Sequence, residues 1–352
     1  MKYGVFLPSA RNGFTISEAA PLYDPSFEHN LEATIEAERQ GFDFALAMMK
    51  WKGFGGTTGY WDGCLETFTL CAGMAARTSK IQLIPSTTLL TTHPAVCARM
   101  IATINDISGG RCGLNIVTGW NHIEYESMGI WPGSDYYERR YDYAAEYIHV
   151  VKRLWTEDEV THDGEFFKLN RATVSPKPAK MPTIVSAGQS PKGLDFTVNN
   201  ADYSFVMTGT ENLKKFTSSM NEKAAAVGRQ VGTLPLYAVV TGRTDAEAQR
   251  LADDVIAKAD RSAIGNILGS AALDTNEGGS SSHLQAALDL PAEQGNMAFM
   301  SFPLLCGTPE TVASKINDIV AETGVPGVMM SWLDFTAGIR EFGEKIAPKV
   351  KY

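Results

Sequence analysis

Between Arg111 and Tyr147 the chain reads RCGLNIVTGWNHIEYESMGIWPGSDYYERRYDYAAEY, which crowds Trp120, Asn121, His122, Glu124, Trp131, Tyr136, Tyr137 and Arg140 into one stretch. Flat rings beside an amide, a carboxylate and a guanidinium are what a planar, polar ligand needs at the end of a buried strand. The connection runs to about twenty residues, long for a compact domain, and connections of that length are commonly functional. We read it as one wall of an active site.

A second constellation is SAGQSPKG at 186–193. Ser190 followed by Pro191 is a helix start, a capping hydroxyl and then proline in the first turn. Preceded by Gly188, such a start presents free N–H groups to an anion, a phosphate above all. An ordinary capped helix carries the same signature. The anion reading therefore leans on its surroundings: the later loops of an α/β barrel often bind a ligand phosphate. Arg140 could add a charge-assisted partner from the first turn of the helix after the central loop, and Tyr141 a hydroxyl.

Other chemistries find little support. The six histidines (29, 93, 122, 149, 162 and 283) form no H-x-x-x-H pair, and no metal is expected. There is no G-x-S-x-G elbow for nucleophilic hydrolysis, no Walker sequence and no G-x-G-x-x-G. Glu124 and Glu126 are two apart, which does not flank a glycosidic bond from opposite faces. A phosphate-bearing cofactor or substrate is what remains.

Positioning such groups takes a scaffold, and the chain has material for a large core. It has 352 residues, 44% hydrophobic and 20% charged, with net charge −9. The charge is thinly spread and contains no basic block, which argues against nucleic acid or an anionic membrane as partner. Five cysteines (64, 71, 97, 112 and 306) show no paired spacing, as in a reducing cytosol. No apolar run is long enough to span a bilayer. The expectation is a cytoplasmic protein.

Apolar runs alternate with helical periods along the chain. Strands are expected at Lys2–Pro8, Phe42–Met49, Ile81–Ser86, Cys112–Val117, Thr183–Ser186, Tyr203–Met207, Leu234–Thr241 and Gly327–Ser331. Phe42–Met49 reads as a continuous rather than alternating apolar run, the pattern of a parallel strand buried on both faces. Eight such strands alternating with helices predict a (β/α)8 TIM barrel as a single domain over 1–352, with the site at the carboxyl ends of its strands. Two insertions are expected: a hairpin at about 156–176 and an irregular, lid-like segment at about 262–303, which contains GGSSS at 278–282.

The segments GFDFALAMMKWKGFGG (41–56), ATINDISGGRCGLNIVTGW (102–120), EYESMGIWPGSDYYERRYDY (124–143) and VSPKPAKMPTIVSAGQS (174–190) resemble the bacterial-luciferase-like flavin monooxygenases, and in particular their pyrimidine-oxidising branch. The resemblance runs almost without gaps to about residue 210 and more loosely beyond. SGGR followed by N-x-V-[ST]-G-W is shared with the sulfone and sulfonate enzymes, and MGIWPG-D-Y points to the pyrimidine branch. Three places depart from that branch: Met49 stands for Ile, Ser86 for Thr, and Asn121-His122 for a Gln-Lys type pair.

The resemblance implies a luciferase-like barrel that uses O2 and reduced FMN delivered by a separate NAD(P)H:flavin reductase. It implies FMN contacts at Met49, Lys50, Asn115, Glu124, Arg140, Tyr141 and Ser190, a catalytic set of Asn115, Ser86 and Trp120, and substrate contacts at Trp120, Asn121 and Phe54. The implied substrate is a small polar heterocycle, uracil or thymine, opened at the N3–C4 bond to a ureidoacrylate-type peracid. Homo-oligomers, dimer or tetramer, are expected. Chemistry of this kind needs water kept out, and Trp120, Phe54, Trp131 and Trp332 are the expected walls. The competing readings are a sulfone or sulfonate monooxygenase on the same barrel, a flavin-binding barrel without catalysis, and a deazaflavin-dependent reductase.

Overall fold

The structure is a computed structural model that describes residues 1–274, 284–288 and 290–352; the GGSSS run at 278–282 lies outside the described residues. Nine strands form one sheet. Setting aside β10 (Leu304–Gly307), the other eight close on themselves as β1 (Lys2–Phe6), β2 (Phe44–Ala47), β3 (Gln82–Thr88), β4 (Leu114–Val117), β7 (Ile184–Ser186), β8 (Tyr203–Val206), β9 (Gly232–Thr241) and β11 (Gly327–Trp332). All pairings around the ring are parallel. This is the (β/α)8 barrel, and its eight strands are the eight read from the sequence. FALA in β2 and IVS in β7 are buried throughout, because one face of each strand fills the barrel and the other packs under helices.

The helices between them carry legible signals. α1 spans Phe27–Arg39, α2 Thr67–Ala75 and α3 Pro94–Ser108, the last opened by proline and closed by Gly109 at φ +66°. The central stretch contributes a short α4 (His122–Ser127) and a long α5 (Tyr136–Thr156). α6 (Pro191–Asn200), α7 (Thr210–Ala226) and α8 (Asp245–Ala257) follow, and a later helix, Pro309–Thr323, again opens on proline. The hairpin insertion is present as β5 (Val160–Asp163) against β6 (Lys168–Ala172).

Three details differ from the sequence reading. α5 begins at Tyr136, so Arg140 sits in its second turn rather than its first. The stretch from 262 is not irregular at its start, because Arg261–Ala271 forms a helix, α9. Its buried Ala263, Ile264, Ile267 and Ala271 have helical spacing, but glycines at 265 and 269 mask it. The third is β10, which extends the edge of β9 beyond β8. Asp260 anchors α9 to the glycine-rich loop: its carboxylate accepts from Ala263 N at 3.0 Å, Thr58 N at 2.8 Å and Thr58 Oγ1 at 2.9 Å. Among the described residues no helix is long and apolar enough to cross a membrane.

Candidate active site

The carboxyl ends of the barrel strands open into a cavity of about 440 Å³. Ligand sites run from roughly 300 to 1,000 Å³. Met49, Lys50, Ser86, Asn115, Trp120, Glu124, Arg140, Tyr141 and Ser190 all line it. Residues separated by as many as 141 positions are thereby brought to one surface, as the barrel mouth requires.

At the floor, β3 and β4 pair with Ser86 opposite Asn115. Asn115 Nδ2 donates to Ser86 Oγ at 2.8 Å, and Ser86 Oγ donates to the Ala47 carbonyl at 2.7 Å. The chain of bonds fixes the amide and leaves Asn115 Oδ1 buried without a partner. An orphaned buried acceptor costs free energy unless a ligand donates to it. The N–H groups of a reduced isoalloxazine are donors of that kind.

Beside the floor, Lys50 Nζ lies 3.3 Å from Glu124 Oε1, both side chains almost wholly buried. Glu124 Oε2 accepts from Trp51 N at 3.0 Å, which ties α4 to the end of β2. Nζ also sits 4.4 Å from the centroid of Phe54 and 5.3 Å from that of Trp120, two rings only 16° from parallel. Burial pulls the Lys50 ammonium below its usual range, and the Glu124 charge opposes that. Nearby, burial pushes the Cys64 thiol up to about 12, so it holds no thiolate for nucleophilic work.

The far corner is built on α6. Ser190 caps the helix, its Oγ accepting from Gly193 N at 3.2 Å. A Cβ added to Gly188 would fall 2.8 Å from Gly193 Cα and 2.8 Å from the Tyr141 hydroxyl oxygen; one added to Gly193 would fall 2.6 Å from the same oxygen. Only glycine at both positions lets the backbone turn, the helix start and the Tyr141 hydroxyl converge. The corner is a cradle of N–H and O–H donors at the positive end of a helix, the setting that holds a phosphate. Arg140 lines the same cavity, 3% exposed, with Nε unpartnered.

Some expected residues fall elsewhere. Asn121 is buried at the start of α4 with Oδ1 unpartnered, outside the cavity lining. Phe54 backs Lys50 and Trp120 rather than lining the cavity. Trp131 packs among His122, Tyr125, Tyr136 and Tyr137, and Trp332 among Phe42, Phe335 and Phe342, so neither walls the site. The apolar wall is instead Phe6, Phe14, Trp61, Phe205, Met300 and Phe302. Trp61 (φ +60°) and Met300 (φ +51°) are both left-handed. Strain of this sort in bulky residues clusters at ligand sites. Trp61 stood in the glycine-rich loop, where an aromatic among turns was a usable signal; Phe14 and Phe302 offered none. Gln189, Thr208 and Asn212 also reach the cavity, and Gln189 is anchored by Met207 N donating to its Oε1 at 2.9 Å.

Comparison with known proteins follows the same lines. The profile of the luciferase-like monooxygenases matches residues 1–326. The pyrimidine monooxygenase RutA of Cronobacter turicensis is 42% identical over 355 aligned positions, covering 100% of this chain and 93% of the relative. Among solved structures, the EDTA monooxygenase EmoA from Chelativorans sp. BNC1 superposes with a TM-score of 0.84 at 21% identity, over 100% of this chain and 93% of that one. The oxygenating constituent of 3,6-diketocamphane monooxygenase from Pseudomonas putida, in complex with FMN, gives 0.71 at 20% identity over 99% of each chain.

Proposed function

We infer the reaction of this chain from its family: it belongs to the luciferase-like monooxygenases. It is an FMN-dependent monooxygenase that works with a flavin reductase, and its substrate is a pyrimidine of the uracil or thymine type. The observation that carries this reading is one cavity with two chemically distinct ends. A phosphate cradle at Gly188, Ser190, Gly193 and Tyr141 faces, across the barrel mouth, an orphaned acceptor on Asn115 beside the Lys50–Glu124 pair. The 42% identity to the pyrimidine monooxygenase RutA over the full chain supports this substrate class.

The residues fit FMN at both ends. Ser190, Tyr141, Arg140 and the first amides of α6 would hold its phosphate. Asn115 and Lys50, with Met49 at the end of β2, would meet the polar edge of its ring. When bound, reduced FMN supplies the two electrons and two protons that, with both atoms of O2, turn uracil into a ureidoacrylate peracid by cleavage of the N3–C4 bond.

The chain's own residues do the rest. The Ala47–Ser86–Asn115 chain holds the amide at one angle, so its Oδ1 is preorganised rather than recruited. Trp61, Phe14 and Phe302 exclude water from the reacting face. Lys50 brings a weakened ammonium whose proton is easier to share with a substrate carbonyl than that of an exposed lysine. Alternating donors and acceptors on the substrate ring need polar readers, and Gln189, Thr208 and Asn212 join the proposed set.

A sulfonate substrate fits less well, because at the reacting end the lysine that could meet it, Lys50, is already paired with Glu124, while Arg140 lies at the phosphate corner. The test is turnover with NADH, a flavin reductase, FMN and isotope-labelled O2 against uracil, thymine and dimethyl sulfone. Labelled ring-opened product from the pyrimidines is expected. Labelled product from the sulfone alone overturns the assignment.

A further inference from the structure

Arg140 does not stand alone at the phosphate corner. Its Nη1 donates to Asp274 Oδ2 at 2.9 Å, with side-chain exposures of 4% and 0%. The two residues are 134 apart, joining α5 to the stretch after α9. Asp274 is fixed from its own side by its backbone N–H, which donates to Ala271 O at 3.0 Å. Its charge also reaches Tyr137, whose phenol is pushed up to about 12 by burial first and by Asp274 second. The Tyr137 hydroxyl donates to the Trp120 carbonyl at 3.2 Å, so Asp274 sits between the phosphate corner and the central loop.

A guanidinium is a rigid planar fork, and it binds phosphate best through two parallel N–H groups. With Nη1 held by Asp274, the edge formed by Nε and Nη2 is left. Nε is buried and unpartnered on the cavity-lining Arg140. We propose that Asp274 is a positioning residue for the cofactor phosphate: it clamps Nη1 of Arg140 so that the Nε–Nη2 edge faces the cradle at Ser190 and Tyr141. This rests on the reading that Arg140 serves a flavin phosphate. The opposite role, a carboxylate that phosphate displaces, would break a buried, hydrogen-bonded ion pair, which is costly. The clamp keeps the pair intact in both states.

The consequence is selectivity for the phosphate rather than the ring. The experiment is anaerobic titration of the full chain with reduced FMN and with reduced riboflavin, which lacks the phosphate. Asp274→Ala should weaken reduced FMN by roughly tenfold and leave riboflavin unchanged. Asp274→Asn should restore most of the loss, because its amide oxygen can still accept from Nη1. Asp274→Ser, too short to reach, makes the same test if the alanine variant does not fold. Unchanged or tighter FMN binding in Asp274→Ala overturns the clamp. So does an equal loss for FMN and riboflavin, which would mark a structural role. Arg140→Ala is the control for the underlying reading. If it spares the FMN preference, the phosphate assignment falls and the clamp with it; if it abolishes the preference while Asp274→Ala does not, only the clamp falls.

Discussion

Ser86 and Asn115 are neighbours because β3 and β4 are neighbours, whereas Arg140 and Asp274 meet only because a 134-residue loop of chain returns over the barrel mouth. The first pair is built into the sheet: one register position, one backbone carbonyl as anchor, 29 residues apart. The second joins a barrel helix to an excursion. Sheet-borne groups are held to the tolerance of the barrel itself, which suits the reacting end of a ligand. Groups carried on helices and excursions can be altered with less effect on the scaffold, which suits the end that only binds.

The largest test of that contrast is the third buried pair, Lys50–Glu124, which lies at the reacting end. Glu124→Gln leaves the Lys50 ammonium buried without a counter-charge, and breaking such a pair costs roughly 3–5 kcal/mol. The effect has a sign in pH. Burial already holds the Lys50 ammonium below the ordinary lysine value of 10.5, so the unfolded chain binds more protons between the folded value and 10.5, and stability rises with pH across that window. The variant lowers the folded value further. Its deficit in urea unfolding should therefore shrink as pH rises through the folded Lys50 value toward the ordinary lysine range. A deficit independent of pH would mean that the lost Trp51 hydrogen bond, not the lysine charge, carries the cost.

Next in size are the two ends taken one at a time. Arg140→Ala removes charge-assisted bonds worth about 1.5–3 kcal/mol, which should appear as a 10- to 100-fold loss (~1.4 kcal/mol per tenfold) in reduced-FMN affinity. Turnover at saturating FMN should change little. Asn115→Ala should do the reverse: cofactor affinity within a few-fold, and oxygenated product down by about tenfold or more while NADH is still consumed. If the two variants shift binding and coupling in the same proportion, the division between a holding end and a reacting end is wrong.

How much of this could be read in the chain follows the same division. All eight barrel strands were legible, since each is a short β-prone run set between turn and helix signals, and so was the Ser190–Pro191 helix start. Asn115 and Ser86 were legible because strand ends point to the mouth of a barrel. Asp274 was not. It lies where no period organises the sequence, and its partner is fixed by tertiary return rather than by spacing. The aromatic walls failed for a related reason. Trp131 and Trp332 have the right composition but pack against their own neighbours, while Phe14, Phe302 and Met300 reach the cavity from turns whose direction no periodicity encodes.

The smallest expected effect is also the sharpest probe of the sheet-borne pair. Ser86 Oγ is both the acceptor for Asn115 Nδ2 and the donor to Ala47 O. Ser86→Ala removes both bonds and frees the Asn115 amide to turn, so hydrogen peroxide should rise relative to ring-opened product. Ser86→Thr keeps the oxygen and adds a methyl group. Overpacking in a closed core commonly costs about 1–3 kcal/mol, but Ser86 borders the cavity, where the methyl has room, and a β-branched residue suits a strand. Threonine should therefore leave stability and coupling within about a factor of two of the parent, measured as product formed per NADH consumed. Should threonine uncouple the reaction as far as alanine does, the hydroxyl is not what holds Asn115, and the register of β3 on β4 must hold it alone.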